Sequence, residues 1–393
     1  MVVHPLASSG VVGTAGRVAD PRDGAVPAAG LRLGGRPLPV LGTARVYICG
    51  ITPYDVTHLG HAATFVWADV LATVLGTVGV DVLTCRNVTD VDDVLTRAAI
   101  ARGRHYDEFA LSQEYLFEQD MQALRVHRPA LAPRARHHVP HVRQLAAALL
   151  RAGAAYERDG TVYFRGGDVP GRVGLTRAEA RELSDRYGDD PGDPRREDPF
   201  DVPVWLPSGE LDPAWPSPWG WGRPGWHAEC AAMAVAALGA SVDVLVGGLD
   251  LTFPHHAYQS AMVEAATGVV PFARRDMHVG TVGLGGAKMA KSTGNLVLIA
   301  DLLATRPPAA IRLMTLDRPW ARSWDFTADL LDGAAAALDR LYAAAARPAR
   351  SPSGRDGVLE ALLDDLDVPR ARAVAEEEGG DAARLFIRLL ALN

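Results

Sequence analysis

The sequence predicts an α/β fold built on a parallel sheet, followed by a helical C-terminal region. Three observations predict it. A strand, a helix and a second strand succeed one another between Arg45 and Val88. A second apolar run, Val242–Val246, ends on Gly247-Gly248. From Ala300 onward the pattern is Ala/Leu/Arg-rich and helical. Strands buried on both faces read as continuous apolar runs, and parallel neighbours need a crossover, commonly a helix.

The elements follow in order. Residues 1–42 are rich in Gly, Ala, Pro and Arg and read as a loose arm that ends in a short strand near Leu31–Leu33. Order begins at Arg45, where Arg45–Cys49 is apolar and β-prone and Gly50 ends the run. His58 to Leu75 has helical spacing, with Val66, Val70, Leu71 and Leu75 on one face. Asp81–Val88 reads as the second strand. Residues 95–165 read as mostly helical, with Ala146, Leu149 and Leu150 on one face and a short β-like run at Thr161–Phe164. Pro, Gly and Trp punctuate residues 180–225, which read as a long functional loop. Val242–Val246 is a core strand and Asp276–Val282 a further one. The Pro/Arg/Ser/Gly stretch at 347–356 separates helices. The domain organisation expected is an arm at 1–42, a catalytic domain at 43–300 with an insertion over roughly 115–200, and a helical region at 301–393.

The 393 residues include 48% hydrophobic and 22% charged, enough for a sizeable core. Net charge is −7 and no dense Lys/Arg run is present, which disfavours a general nucleic-acid binder. Three cysteines, Cys49, Cys85 and Cys230, are too few and too scattered for a disulfide framework, so a reducing, cytoplasmic setting is expected. No uninterrupted apolar run predicts a membrane span, and the N-terminus lacks the pattern of a signal peptide.

Two motifs carry chemistry. His58-Leu59-Gly60-His61 opens a helix directly after a strand. A helix start offers unpaired N–H groups and a positive dipole end to a phosphate, two imidazoles three apart share a face, and Gly60 permits close approach to the backbone. Lys288-Met289-Ala290-Lys291-Ser292 lies among Gly283, Gly285, Gly286 and Gly294. Two lysines on such a loop can close over a polyphosphate and stabilise charge as pyrophosphate leaves. Either motif alone fits an ordinary helix start or a solvated loop.

Together, HLGH and KMAKS in this order and context resemble the HIGH and KMSKS signatures of class I aminoacyl-tRNA synthetases. The resemblance implies a Rossmann-type class I aminoacyl-tRNA synthetase catalytic domain with an inserted α/β segment and a C-terminal helical bundle, with ATP held between the signatures. Longer phrases narrow it. Tyr47-Ile48-Cys49-Gly50-Ile51-Thr52-Pro53-Tyr54-Asp55, Asn87-Val88-Thr89-Asp90-Val91-Asp92-Asp93, Gly225-Trp226-His227-Ala228-Glu229-Cys230 and Gly247-Gly248-Leu249-Asp250-Leu251-Thr252-Phe253-Pro254-His255-His256 are similar to the cysteinyl-tRNA synthetases and their close relatives, the cysteine ligases of the mycothiol pathway. The resemblance spans roughly 31–345.

The resemblance implies one zinc ion per chain held by Cys49, Cys230 and His255, a thiolate-rich set with an open position suited to a thiol substrate. It implies catalysis by His58, His61, Lys288 and Lys291. ATP contacts fall on His58, Gly60, His61, Gly248, Asp250, Lys288, Met289, Lys291 and Ser292, with Mg²⁺ accompanying the nucleotide. Trp226 is expected to wall the amino-acid pocket and Thr52 to bind the substrate amine or carboxylate. Read by themselves, Trp226 is equally a core residue, Cys85 is packed in a strand, and Asp90, Asp92 and Asp93 serve either a substrate ammonium or helix capping.

Two departures stand out. Synthetases of this branch carry a Glu four residues after the ligand His, and here that place holds Gln259; the ligases also lack it. The first Ser of KMSKS is Ala290. The acceptor expected is therefore the amine of a glucosaminyl-inositol, with ATP and L-cysteine as partners, tRNA disfavoured and no membrane. A synthetase with little anticodon-binding region, the length after KMAKS being short, remains open. So does a paralogue that loads cysteine onto another amine, or a domain that has lost catalysis.

Overall fold

The computed structural model of the chain describes residues 30–54, 56–186, 190, 192–210, 212–289 and 294–393. Most of the arm expected at 1–42 thus lies outside the described residues. Its end is a hairpin: β1 (Arg32–Leu33) pairs antiparallel with β2 (Arg36–Pro37) across Gly34-Gly35, both at positive φ. A two-residue turn of this hand matches the twist of its strands and requires positive φ at both positions.

The next three elements are β3 (Ala44–Ile51), α1 (Leu59–Thr77) and β4 (Val82–Val88), the expected βαβ unit. β3 and β4 pair in parallel, Tyr47 opposite Cys85. Helices α2 (Asp93–Ala101), α3 (Tyr106–Ala123) and α4 (Ala135–Arg151) follow. The chain then forms β5 (Ala155–Arg158), β6 (Thr161–Phe164), α5 (Val169–Arg172), α6 (Arg177–Arg186), β7 (Val202–Pro207) and β8 (Gly222–Pro224). The four strands make one antiparallel sheet in the order β5-β6-β7-β8.

This corrects the long loop expected over 180–225. Its beginning is the end of α6, and β7 and β8 are paired strands. Pro203, Pro207 and Pro224 disguised them, because proline cannot donate to a ladder. The sheet accommodates Pro203 where the β6–β7 register shifts, between Val162–Trp205 and Tyr163–Pro203. β5 also corrects the expectation of helix up to the run at 161.

The catalytic sheet is completed by α7 (Trp226–Leu238), β9 (Val242–Gly248), α8 (Ala257–Thr267) and β10 (Ala273–Val279). All four strands are parallel, in the order β10-β9-β3-β4. The strand expected at Asp276–Val282 starts earlier and stops at Val279. Gly280 lies against the backbone of Arg322 there, and β11 (Val282–Leu284) turns into β12 (Ala287–Lys288) and pairs with β13 (Trp324–Asp325). Chain order reverses between β3 and β9, and ligands of open α/β sheets bind outside the strand carboxyl ends at that reversal.

The remaining helices are α9 (Ile299–Thr305), α10 (Pro308–Leu316), α11 (Ala328–Ala346), α12 (Gly354–Leu363), α13 (Val368–Glu378) and α14 (Gly380–Leu389). They share one apolar core with α1 and one face of the parallel sheet, while α4, α7, α8 and the antiparallel sheet enclose a second core on the other face. Helix α1 is long and apolar enough to cross a membrane by length and composition, yet it is a core helix, with Phe65, Val66, Trp67, Val70 and Leu71 all buried.

Candidate active site and metal centre

Three elements converge at the carboxyl end of β3. Cys49 stands at that strand end, Cys230 on the second turn of α7, and His255 in the turn of helix at 252–256 that leads into α8. Their ligand atoms all lie within 4.8 Å of one another, and all three side chains are buried. Burial, then the Cys230 thiol, pushes the Cys49 thiol well above its usual range, and burial with His227 and His256 holds His255 well below its own. A neutral imidazole beside two cysteine sulfurs suits a bound metal ion, whose charge favours the thiolate form. The donor set fits a soft, tetrahedral ion with one position left open.

Polar neighbours orient this group. The Cys49 thiol donates to Gln259 Oε1 at 3.5 Å, and Gln259 Nε2 donates to the Cys230 carbonyl at 3.5 Å. Asn87 Nδ2 donates to the Cys230 sulfur at 3.5 Å. Gln259 is fully buried and bridges the Cys49 thiol to the Cys230 backbone. His255 Nδ1 lies 2.9 Å from His227 Nδ1, and the Trp226 ring stacks on the His255 ring at 4.1 Å between centroids. Trp226 is therefore a neighbour of the metal group, and with Thr52 it lines a cavity of about 690 Å³.

The second cluster is at the start of α1. His58 is the residue that precedes its first turn, and the His58 and His61 rings lie 3.8 Å apart. A side chain at Gly60 would meet the His58 ring at 3.0 Å, so the close approach that this glycine allows includes that of its own neighbour's imidazole. Leu59 N–H donates to Val297 O and Ile299 N–H to Thr57 O, which fastens the helix start to the segment after the KMAKS loop.

Lys288 sits on β12, beyond a turn with Gly285 and Gly286 at positive φ, and its Nζ is 2.7 Å from Asp250 Oδ2. Asp250 follows β9 directly, beside Gly248, where a Cβ would come within 2.4 Å of the Asp250 carboxylate. Met289 is buried in the core. Ala290, Lys291 and Ser292 lie outside the described residues. Cys85 is buried in β4, its thiol pushed up to about 12 by burial. Asp92 caps α2 through Val94 N–H at 2.6 Å, Asp90 accepts from Arg136 N–H, and Asp93 pairs with Arg223.

Sequence reasoning singled out neither His227 nor the pair His256–His278. His256 Nδ1 and His278 Nε2 are 2.8 Å apart, and burial lowers His278 to about 4. His227 and His256 stood inside quoted phrases, and His278 lies in the largely polar strand β10; only the fold brings them together.

Residues 40–336 match the family described as tRNA synthetases class I (C) catalytic domain. A protein of Frankia alni named L-cysteine:1D-myo-inositol 2-amino-2-deoxy-alpha-D-glucopyranoside ligase is 42% identical over 342 residues, 85% of this chain and 82% of that protein. The proteins of the same name from Kribbella flavida and Rhodococcus jostii are 41% and 42% identical, covering 90% and 86% of this chain and 89% and 83% of theirs. Among solved structures, Mycobacterium tuberculosis methionyl-tRNA synthetase in complex with methionyl-adenylate superposes with a TM-score of 0.65 at 15% identity, over 89% of this chain and 88% of that one. The leucyl enzyme of Agrobacterium radiobacter gives 0.58 at 11%, over 92% and 84%. These two likenesses concern the fold.

Proposed function

The chain belongs to the class I (C) tRNA synthetase catalytic family, and from that premise we propose that it activates L-cysteine with ATP and transfers the cysteinyl group to the amine of a glucosaminyl-inositol. The observation that carries the reading is the buried Cys49–Cys230–His255 group, set against the Trp226 that lines the cavity. The name shared by relatives at 41–42% identity supports the acceptor.

The reaction runs in two displacements. A cysteine carboxylate oxygen attacks the α-phosphorus of Mg²⁺-bound ATP; the new P–O bond replaces the bond to the bridging oxygen, and pyrophosphate leaves. The acceptor nitrogen then attacks the acyl carbon; a C–N bond forms, the C–O bond to phosphate breaks, AMP departs, and the amine gives up a proton to solvent. Neither step needs a protein nucleophile, so the residues work by positioning and charge stabilisation. His58 and His61 at the α1 N-terminus, with Lys288 and Lys291, meet the phosphates. Gly248 and Asp250 receive the ribose, and Thr52 and Trp226 bound the amino acid. Cys49, Cys230 and His255 would hold a zinc ion, which would supply a soft centre for the substrate's sulfur and so separate cysteine from serine.

The test offers cysteine and ATP with glucosaminyl-inositol and cysteine tRNA side by side. The amide product is expected, with no charged tRNA. Efficient tRNA charging without amide would overturn the acceptor. ATP–pyrophosphate exchange that needs no cysteine would overturn the amino acid.

A further inference from the structure

The cavity beside Trp226 extends beyond the space that an amino acid needs. At about 690 Å³ it is the size of a site for a two-ring molecule, and its far wall belongs to the antiparallel sheet and the start of α2. Arg223 on β8 is nearly buried, holds Asp93 through two bonds of 2.9 and 3.0 Å, and donates to the Pro207 carbonyl at 2.7 Å. Asp193 accepts from the Tyr163 hydroxyl at 2.7 Å and from Arg195 at 2.8 and 2.9 Å. Arg195 beside it holds the Asp193 carboxyl well below the usual range. Among the described residues the lining carries four aspartates and four arginines, and none of His58, His61, Gly248, Asp250 or Lys288.

We propose that this wall is the acceptor subsite, and that the Asp93–Arg223 pair and Asp193 grip hydroxyl groups of a polyhydroxylated amine. The proposal rests on the reading that the cysteinyl group passes to an amine. Each hydroxyl both donates and accepts, and a carboxylate fixed beside a guanidinium offers both partners at the spacing of neighbouring hydroxyls. A charge-balanced wall presents no net field to a nucleic-acid 3′ end, which calls for a basic track.

The experiment compares Arg223→Lys and Asp193→Asn with the wild type in two assays. Lysine keeps the charge of arginine and loses its two-pronged fork. In amide formation, the KM for glucosaminyl-inositol should rise about tenfold or more in each variant, one to two lost hydroxyl contacts. In ATP–pyrophosphate exchange, which also reports correct folding, the KM for cysteine should move less than twofold. Saturation-transfer NMR with free glucosamine and free inositol, added to enzyme preloaded with cysteine and a non-hydrolysable ATP analogue, reads the subsite without chemistry. Polyol signals that Arg223→Lys weakens would keep the subsite even if no amide formed, in which case only the transfer reading fails. An unchanged acceptor KM in both variants, equal losses in both assays, or displacement of the polyols by cysteine tRNA in a salt-sensitive manner would overturn the proposal.

Discussion

Gln259 bridges the Cys49 thiol and the Cys230 backbone carbonyl and contributes an amide where a glutamate would offer a carboxylate. An amide oxygen is a weak ligand for a soft ion, so this exchange leaves a coordination position for substrate. Metal analysis of the purified protein should find about one zinc per chain, and Cys230→Ala should lower it severalfold by removing one of three ligands. Gln259→Glu should retain zinc and raise the KM for cysteine. Stoichiometric zinc in Cys230→Ala would remove the assignment. A second residue gives a pH signature. Burial lowers His278 to about 4 from the usual 6.5, so the unfolded chain binds more protons between these values. The His278 contribution is complete above pH 6.5 and is lost as pH falls toward 4, on the order of 3 kcal/mol. Urea unfolding followed across that window should show the wild type losing stability faster than His278→Gln; parallel curves would contradict the assignment. At this scale the sequence was legible in local motifs alone. His58 and His61 share one helix turn, whereas Cys49, Cys230 and His255 meet only because the reversal between β3 and β9 gathers distant strand ends, and no spacing records that. Their grouping was visible through family phrases, not periodicity.

Among the elements, the β11–β12 hairpin carries Lys288. It holds Lys288 against Asp250 by a 2.7 Å pair, and both side chains are partly exposed, so the contact is weak enough to be exchanged for phosphate. Lys288→Ala and Lys291→Ala should each slow adenylate formation by on the order of 100-fold and leave cysteine affinity near its wild-type value. Rapid-quench measurement of adenylate checks this, and normal bursts in both variants would make the loop structural. Ala290→Ser should be neutral or faster in the same assay. Elements differed in how openly the sequence declared them. β3 and β9 are mostly buried and carry the apolar runs Val46–Ile48 and Val244–Val246, which the sequence shows directly. β7 and β8 carry prolines and earn their place through pairing and a register shift, which are non-local.

For the whole molecule, one buried arginine joins parts that are distant in the chain. Arg312 of α10 is fully buried; it pairs with Asp69 of α1 at 2.9 Å and donates to the carbonyls of Leu124 and Leu390, both at 2.8 Å. Asp69 also accepts from the backbone and ring of His127. The side chain thus clamps the helix that starts at the two histidines, the end of α3 and the chain after α14. Arg312→Met should cost about 3–5 kcal/mol in urea unfolding, because it strands a buried carboxylate and two carbonyls. Asp69→Asn in the same background should recover part of that loss by removing the unpaired charge, and the absence of any recovery would show that packing alone accounts for the penalty. The parallel sheet and helical C-terminal region were predictable from burial patterns, but this ion pair was not, since a lone Asp in an apolar helix carries no mark of its partner.

That clamp gives the molecule a direction in time. Asp69 and Arg312 are 243 positions apart, so a ribosome completes the strand, helix and strand of the nucleotide site long before the countercharge of its central helix exists. Until then the Asp69 carboxylate has only His127, 58 positions along the chain, as the partner described above, and lacks the guanidinium that pairs with it in the finished fold. The histidine pair stands at the head of that helix, so the clamp behind it is complete only when the chain from Arg312 to Leu390 has emerged. Fragments truncated ahead of α10 carry both signature histidines on a helix that lacks its Arg312 anchor.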